Sequence, residues 1–170
     1  MGLSAVQIAA AVGGKVIAID ISPDALAAAN SVGASHLINA RTDDPVSVVR
    51  EITKGGAQVS IDSLGIAETC RNSIHSLRKL GRHIQLGHTT RQESGYVSLP
   101  IDVILLNELR LYGTFGMQGQ RYATMLAMCD AGTLQPSKIV RRRVSLEGVT
   151  GVFEAMGDYK TTGIVVIDKF

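Results

Sequence analysis

The sequence predicts an α/β protein built on a doubly wound parallel sheet, truncated at its first strand. Three observations lead there. Helix and strand patterns alternate at short intervals through residue 114, the rhythm of a parallel sheet covered on both faces. The composition is 45% hydrophobic but only 4% aromatic, with no Trp, which favours aliphatic helices packed on a sheet over an aromatic-rich sandwich. Finally, the chain opens on a helix rather than a strand. In the strand order 3-2-1-4-5-6 of a doubly wound sheet, the central first strand has no counterpart in these residues.

The elements follow in order. Gly2 opens an apolar helical run from Leu3 to Val12, rich in small residues that allow close packing on a sheet, and Gly13-Gly14 stop it. Lys15 to Ile19 reads as a buried strand ending in a carboxylate, Asp20. Ser22 can cap a helix with Pro23 at its first position, running to about Val32 with Gly33 as the stop. His36 to Asn39 is a short strand. Asp44-Pro45 starts the next helix, with Val46, Val49 and Ile52 on one face. Ala57 to Leu64 is a strand, Ala67 to Lys79 a helix with Gly81 as its stop, and Arg82 to Gly87 another strand. His88 to Gly95 is a polar loop, Pro100 to Glu108 a short amphipathic helix, and Leu109 to Phe115 a strand. Beyond it come a helix from Gly119 to Ala131, an extended segment from Ile139 to Val144, a helix from Ser145 to about Met156 and a strand from Ile164 to Ile167. In the doubly wound order, the strands at Lys15, His36, Val59, Arg82 and Leu109 take places two to six.

A helix followed by a short strand with a carboxylate at its tip matches the second half of a dinucleotide-binding βαβ unit. The strand and Gly-x-Gly turn of that fingerprint would precede Met1, so Gly2 can only be the last glycine of the set. The same pattern also suits an ordinary parallel α/β core, where Ala-rich helices precede Val/Ile strands that end in Asp.

Bulk properties exclude several classes. A length of 170 residues fits roughly one domain. The net charge of +2 and the single basic cluster, Arg141-Arg142-Arg143, with no interleaved aromatic residues, speak against nucleic-acid binding. Cys70 and Cys129, far apart in helical patterns, fit reduced cytosolic thiols and a cytoplasmic location. No apolar run approaches the ~20 residues of a membrane span, and the N-terminal run is broken by Gly13-Gly14 rather than ending in a signal-peptide cleavage site.

The order Gly2-Leu-Ser-Ala-Val-Gln-Ile-Ala, Val16-Ile-Ala-Ile-Asp20, Val32-Gly-Ala34, Asp62-Ser-Leu-Gly65, Gly81-Arg-His-Ile-Gln-Leu-Gly87 and Gly113-Thr-Phe-Gly116 resembles the zinc-dependent alcohol dehydrogenases of the medium-chain dehydrogenase/reductase superfamily. The resemblance covers almost the whole chain, but members of the family are about twice this length. It implies an incomplete NAD-binding Rossmann domain over residues 1–114, and a segment over 115–170 that in the family returns to a GroES-like catalytic domain missing here. The implied parent reaction is hydride transfer between an alcohol or aldehyde and nicotinamide, with zinc polarising the oxygen.

The resemblance also implies a coenzyme surface. Gly2 and Leu3 open the helix whose N-terminus faces the pyrophosphate. Asp20 would accept hydrogen bonds from the adenosine ribose and repel a 2′-phosphate, favouring NAD(H) over NADP(H). Ser63, Leu64 and Gly65 would lie beside the adenosine half. Leu86, Gly87 and His88, with Thr114 and Phe115, would contact nicotinamide. Many members carry an Arg near the last strand that pairs with the pyrophosphate, whereas Thr161-Thr162-Gly163 stands there in this sequence. No Cys-x-x-Cys or His-x-x-His spacing occurs, so no residue is assigned to zinc or to catalysis. His36, His75 and His83 read as ordinary structural residues, and His88 is set apart by its place at a strand's carboxyl end.

The expectation is therefore the coenzyme-binding part of an NAD-dependent zinc-type alcohol dehydrogenase, inactive by itself and marginally folded for want of the central strand. It would pair as a homo-oligomer through the strand near Leu111. Three alternatives stay open: a non-catalytic dimerising module, one half of a split dehydrogenase, and a Rossmann-like methyltransferase, against which Leu86-Gly87 and Gly113–Phe115 count.

Overall fold

Ser22 and Asp44 each precede a proline, and each starts a helix. The Ser22 hydroxyl accepts from the Ala25 amide at 3.3 Å, and the Asp44 carboxylate accepts from the Ser47 amide at 3.1 Å. These bonds satisfy donors that a helix N-terminus otherwise leaves orphaned, while proline supplies a preset φ at the first turn. The helices that follow are α2 (Pro23–Ser31) and α3 (Pro45–Thr53). Ahead of them lies α1 (Gly2–Ala11). Later in the chain come α4 (Ala67–His75), α5 (Ile101–Leu106), α6 (Tyr122–Asp130) and α7 (Val149–Gly157). The strands are β1 (Val16–Asp20), β2 (Ala34–Asn39), β3 (Ala57–Asp62), β4 (Leu77–Gln85), β5 (Arg110–Gly113), β6 (Val140–Ser145) and β7 (Ile164–Lys169).

This computed structural model describes residues 1–157 and 161–170. They fall into two units, one formed by Met1–Gly2 and Ala40–Gly119, the other by Leu3–Asn39 and Gln120–Phe170.

The first unit contains the parallel sheet β3-β4-β5. Ser60 pairs with His83, Ile61 with Ile84 and Asp62 with Gln85; His83 in turn pairs with Leu111 and Gln85 with Gly113. Val49, Cys70, Ile74 and Leu77 are its buried apolar residues. Arg50 ties α3 to the end of α4, donating to the His75 carbonyl from Nε at 3.2 Å and Nη2 at 2.9 Å. A charged donor there meets the carbonyl end of the helix, where the dipole is negative.

The second unit holds two parallel pairs, β1-β2 and β6-β7. Its hydrophobic cluster is made of Ala18, Leu26, Ala29 and Ala34, with Leu3, Val6 and Val16 packed against it. Gln7 on α1 is buried and donates its amide to the Gln135 carbonyl at 2.9 Å.

The predicted fold class agrees with these sheets. Places two and three of the doubly wound order are β1 and β2, side by side and parallel; places four, five and six are β3, β4 and β5. Among the described residues, the other edge of β1 and the other edge of β3 carry no ladder.

One element differs. The helix expected to reach Lys79 ends at His75, and β4 begins at Leu77. The register slips between Ala57 and Val59, whose partners are Leu77 and Arg82. Residues 78–81 form the bulge between them. Leu80 takes a left-handed φ of 63° and donates its amide to the Asn107 carbonyl at 2.8 Å. Gly81 is then not a helix stop: a Cβ there would stand 2.8 Å from the Arg78 carbonyl and 2.9 Å from the Leu77 Cβ. The C-terminal elements form as expected, except that a short 3-10 turn precedes each of α6 and α7, and that β6 and β7 pair with each other. No helix among the described residues is long and apolar enough to cross a membrane.

Candidate functional site

The carboxyl end of β3 is organised by Asp62, which is 3% exposed. A buried carboxylate must be hydrogen-bonded. Its Oδ1 accepts from the Leu64 amide at 2.9 Å, the Gly65 amide at 3.2 Å and the Thr69 hydroxyl at 3.1 Å. Its Oδ2 accepts from the Gln85 side-chain amide at 3.0 Å. The Asp62 backbone carbonyl takes the Leu86 and Gly87 amides, both at 2.9 Å. One residue thus holds the turn after β3 and the turn after β4.

The two turns approach each other closely. Gly65 sits at φ +95°, and a Cβ on it would collide with the His88 carbonyl. A Cβ on Gly87 would stand 2.5 Å from the Leu64 carbonyl carbon. Beside them, Gln85, Leu86, Gly87 and His88 face Gly113, Thr114 and Phe115 across an open groove of about 380 Å³. That size lies at the lower end of small-molecule sites. Crevices outside the carboxyl ends of parallel strands are where open α/β sheets take their ligands. The His88 and Phe115 rings meet edge to face with centroids 5.9 Å apart, and Phe115 is 88% exposed, leaving an aromatic surface open to a planar ring.

The loop after the groove is strapped back onto α4. Ile66, at the N-cap of α4, supplies no side-chain acceptor. Instead, Glu93 Oε1 accepts from the Ala67 amide at 3.2 Å, and Oε2 accepts from the Thr90 amide and hydroxyl. The Thr90 hydroxyl, foremost among these bonds, holds the Glu93 carboxyl below its ordinary value.

The structure gathers nine of the eleven residues anticipated for a coenzyme within one unit. Leu86, Gly87, His88, Thr114 and Phe115 line the groove; Ser63, Leu64 and Gly65 form the neighbouring turn. Gly2 stands where a Cβ would be 3.0 Å from the Ser63 hydroxyl oxygen. Leu3 and Asp20 belong to the second unit, Leu3 against its hydrophobic cluster and Asp20 at the exposed end of β1. Asp20 Oδ1 accepts from the Ser22 amide at 2.8 Å, which orients the carboxylate at the strand tip.

Asp62 and Gln85 were not singled out from the sequence. The available signal was a polar side chain closing each strand, at the pairing position the parallel register gives them. Among the described residues, no group of three or more His, Cys, Asp or Glu is placed to hold a metal ion. Burial pushes the Cys70 thiol up, with the nearby Asp62 charge adding to the effect and Arg71 opposing it, as for an inert core thiol.

Residues 1–131 match the family model described as zinc-binding dehydrogenase. An NAD-dependent alcohol dehydrogenase of Sulfurisphaera tokodaii is 30% identical over 169 residues, covering 98% of this chain and 47% of that protein. The sorbitol dehydrogenase of Bacillus subtilis is 28% identical, with 98% and 47% covered. Among solved structures, the benzyl alcohol dehydrogenase of Acinetobacter calcoaceticus superposes with a TM-score of 0.86 at 25% identity, covering 98% of this chain and 47% of that one. The chain therefore spans about half the length of the relatives it matches.

Proposed function

The chain belongs to the zinc-binding dehydrogenase family, and from that premise we propose that it is the NAD(H)-binding portion of a zinc-type alcohol dehydrogenase. The observation that carries this reading is the groove at the carboxyl ends of β4 and β5, with turns so close that Gly65 and Gly87 leave no room for a Cβ. Backbone groups at residues 86–88 and 114–115 would hold the carboxamide, and the His88–Phe115 pair would lie against the nicotinamide ring. Gly2 would place the α1 N-terminus toward the pyrophosphate, where free amides and the dipole favour an anion. Ser63, Leu64 and Gly65 would flank the adenosine half. Asp20, oriented by Ser22, would accept from the adenosine ribose and repel a 2′-phosphate, so that NAD(H) is preferred. The bound nicotinamide would supply hydride exchange with an alcohol or aldehyde. Turnover needs metal-ligating groups that the described residues do not bring together, so the 170-residue chain is expected to bind coenzyme without oxidising alcohols.

Titration with NADH and NADPH, followed by nucleotide fluorescence, tests this. The expected outcome is saturable NADH binding, with NADPH weaker by on the order of 1–3 kcal/mol from one repelled or unpaired group. Asp20→Ala should narrow the gap. Equal curves for the two nucleotides, or no saturable response to NADH, overturn the assignment.

A second reading, as a dimerising module, is favoured by β5. All four of its residues are exposed, and Leu105 and Leu106 on α5 are 71% and 73% exposed. The two readings share only Gly113, which ends β5 and lines the groove, so they are compatible.

A further inference from the structure

His83 is 2% exposed on β4, inside the first unit. Its Nδ1 stands 3.1 Å from the Ser73 hydroxyl and 3.4 Å from the Ser60 hydroxyl. Its Nε2 stands 3.1 Å from Gln85 Oε1. The Gln85 amide nitrogen then donates both its protons, one to Asp62 Oδ2 at 3.0 Å and one to the Gly87 carbonyl at 2.9 Å.

The direction of this chain of bonds is fixed by chemistry. Both partners of the Gln85 nitrogen are acceptors only, so flipping the amide would set its oxygen against a carboxylate and a carbonyl. With that orientation fixed, Gln85 Oε1 must accept, and His83 must carry a proton on Nε2.

We propose that Gln85, oriented by His83, is a positioning residue for the groove. Its two amide protons hold the turn at Leu64-Gly65, through Asp62, and the turn at Leu86–His88, through the Gly87 carbonyl, in one fixed relation. The inference rests on the coenzyme reading for its link to ligand binding. Its structural content stands on the hydrogen-bond network alone. A histidine that was merely accommodated in the core would not need a proton fixed on Nε2 or a partner shared between two turns.

Nitrogen NMR of the intact chain should show His83 protonated at Nε2. Gln85→Leu removes both donors while keeping a side chain of similar size. It should speed amide exchange by about tenfold or more at Leu64, Gly65 and Gly87, while amides of β1 and β2 stay as they were. It should also lower the affinity for NADH. Should Gln85→Leu fail to fold, the exchanged pair Asp62→Asn with Gln85→Glu offers a second route. It restores a donor facing an acceptor between these positions, and should bring back protection at Leu64 and Gly65 that Gln85→Glu alone loses. A His83 without a proton on Nε2, unchanged exchange in both turns, or equal gains in exchange across every strand overturns the proposal. If the intact chain does not bind NADH, the coenzyme reading fails, and the nitrogen NMR and exchange measurements still decide the role of Gln85.

Discussion

Glu93 caps a helix that begins 26 positions before it. A helix whose own N-cap residue is Ile66 needs an acceptor from elsewhere, and a carboxylate suits both the orphan amide and the positive end of the helix. The Glu93 carboxyl lies below its ordinary value of 4.5, first because the Thr90 hydroxyl donates to it. An acid depressed in the folded state contributes stability that is fully present above its unfolded value, and loses it as pH falls through the folded one. The strap should therefore hold above about pH 4.5 and loosen below it. Following the Ala67 and Thr90 amide shifts from about pH 6 to about pH 3 should show one transition, centred below that of an unstructured glutamate. In Glu93→Gln the transition should vanish. Its persistence in the variant would assign it to another group and remove Glu93 from the role.

At the level of elements, β5 carries a clear consequence. Its Leu111 and Tyr112 are 38% and 47% exposed, and among the described residues it pairs only with β4. An apolar edge strand is a template for pairing unless covered, and two-fold association, the commonest oligomer symmetry, would pair it with its symmetry mate. Light scattering should report a dimer for the chain. Leu111→Pro, which removes an edge donor and constrains φ, should yield monomer or aggregate. A monomeric parent chain would eliminate the idea.

Most elements were legible because their signals are local. Ser22-Pro23 and Asp44-Pro45 start helices through bonds spanning three residues, and Gly13-Gly14 ends one. The early start of β4 was not legible. Leu77 to Leu80 continues the helical spacing of α4, and only pairing with Ala57 and the Asn107 carbonyl pulls it into the sheet. The groove residues could be placed by family pattern. Gln85, His83 and Glu93 could not, because their meaning lies in partners 10 to 26 positions away, or two apart on a strand whose face the sequence leaves undefined.

At the scale of the whole molecule, the first unit holds one short parallel sheet and the second holds two parallel pairs, with edges left open among the described residues, and parallel sheets in α/β proteins are ordinarily buried. Val59 and Ile61 on β3 are 38% and 41% exposed, and Ile19 on β1 is 43% exposed. Strands this apolar would normally have neighbours on both sides. Edge groups satisfied by water instead of a ladder lose the pairing of a neighbouring strand, and a whole domain is stable by only about 5–15 kcal/mol. The exposed apolar side chains of β1 and β3 forgo burial worth about 25 cal/mol per Å² of apolar surface, a substantial share of that margin. The chain is accordingly expected to melt below ~60 °C, within or beneath the mesophile range. Hydrogen exchange should be fast along β1 and β3 relative to β4, which is paired on both sides. NADH at saturating concentration should raise the midpoint by mass action. A sharp transition above ~60 °C, with strong protection across β1 and β3 in a monomer, would mean that these edges are covered in solution in a way that their exposure does not suggest.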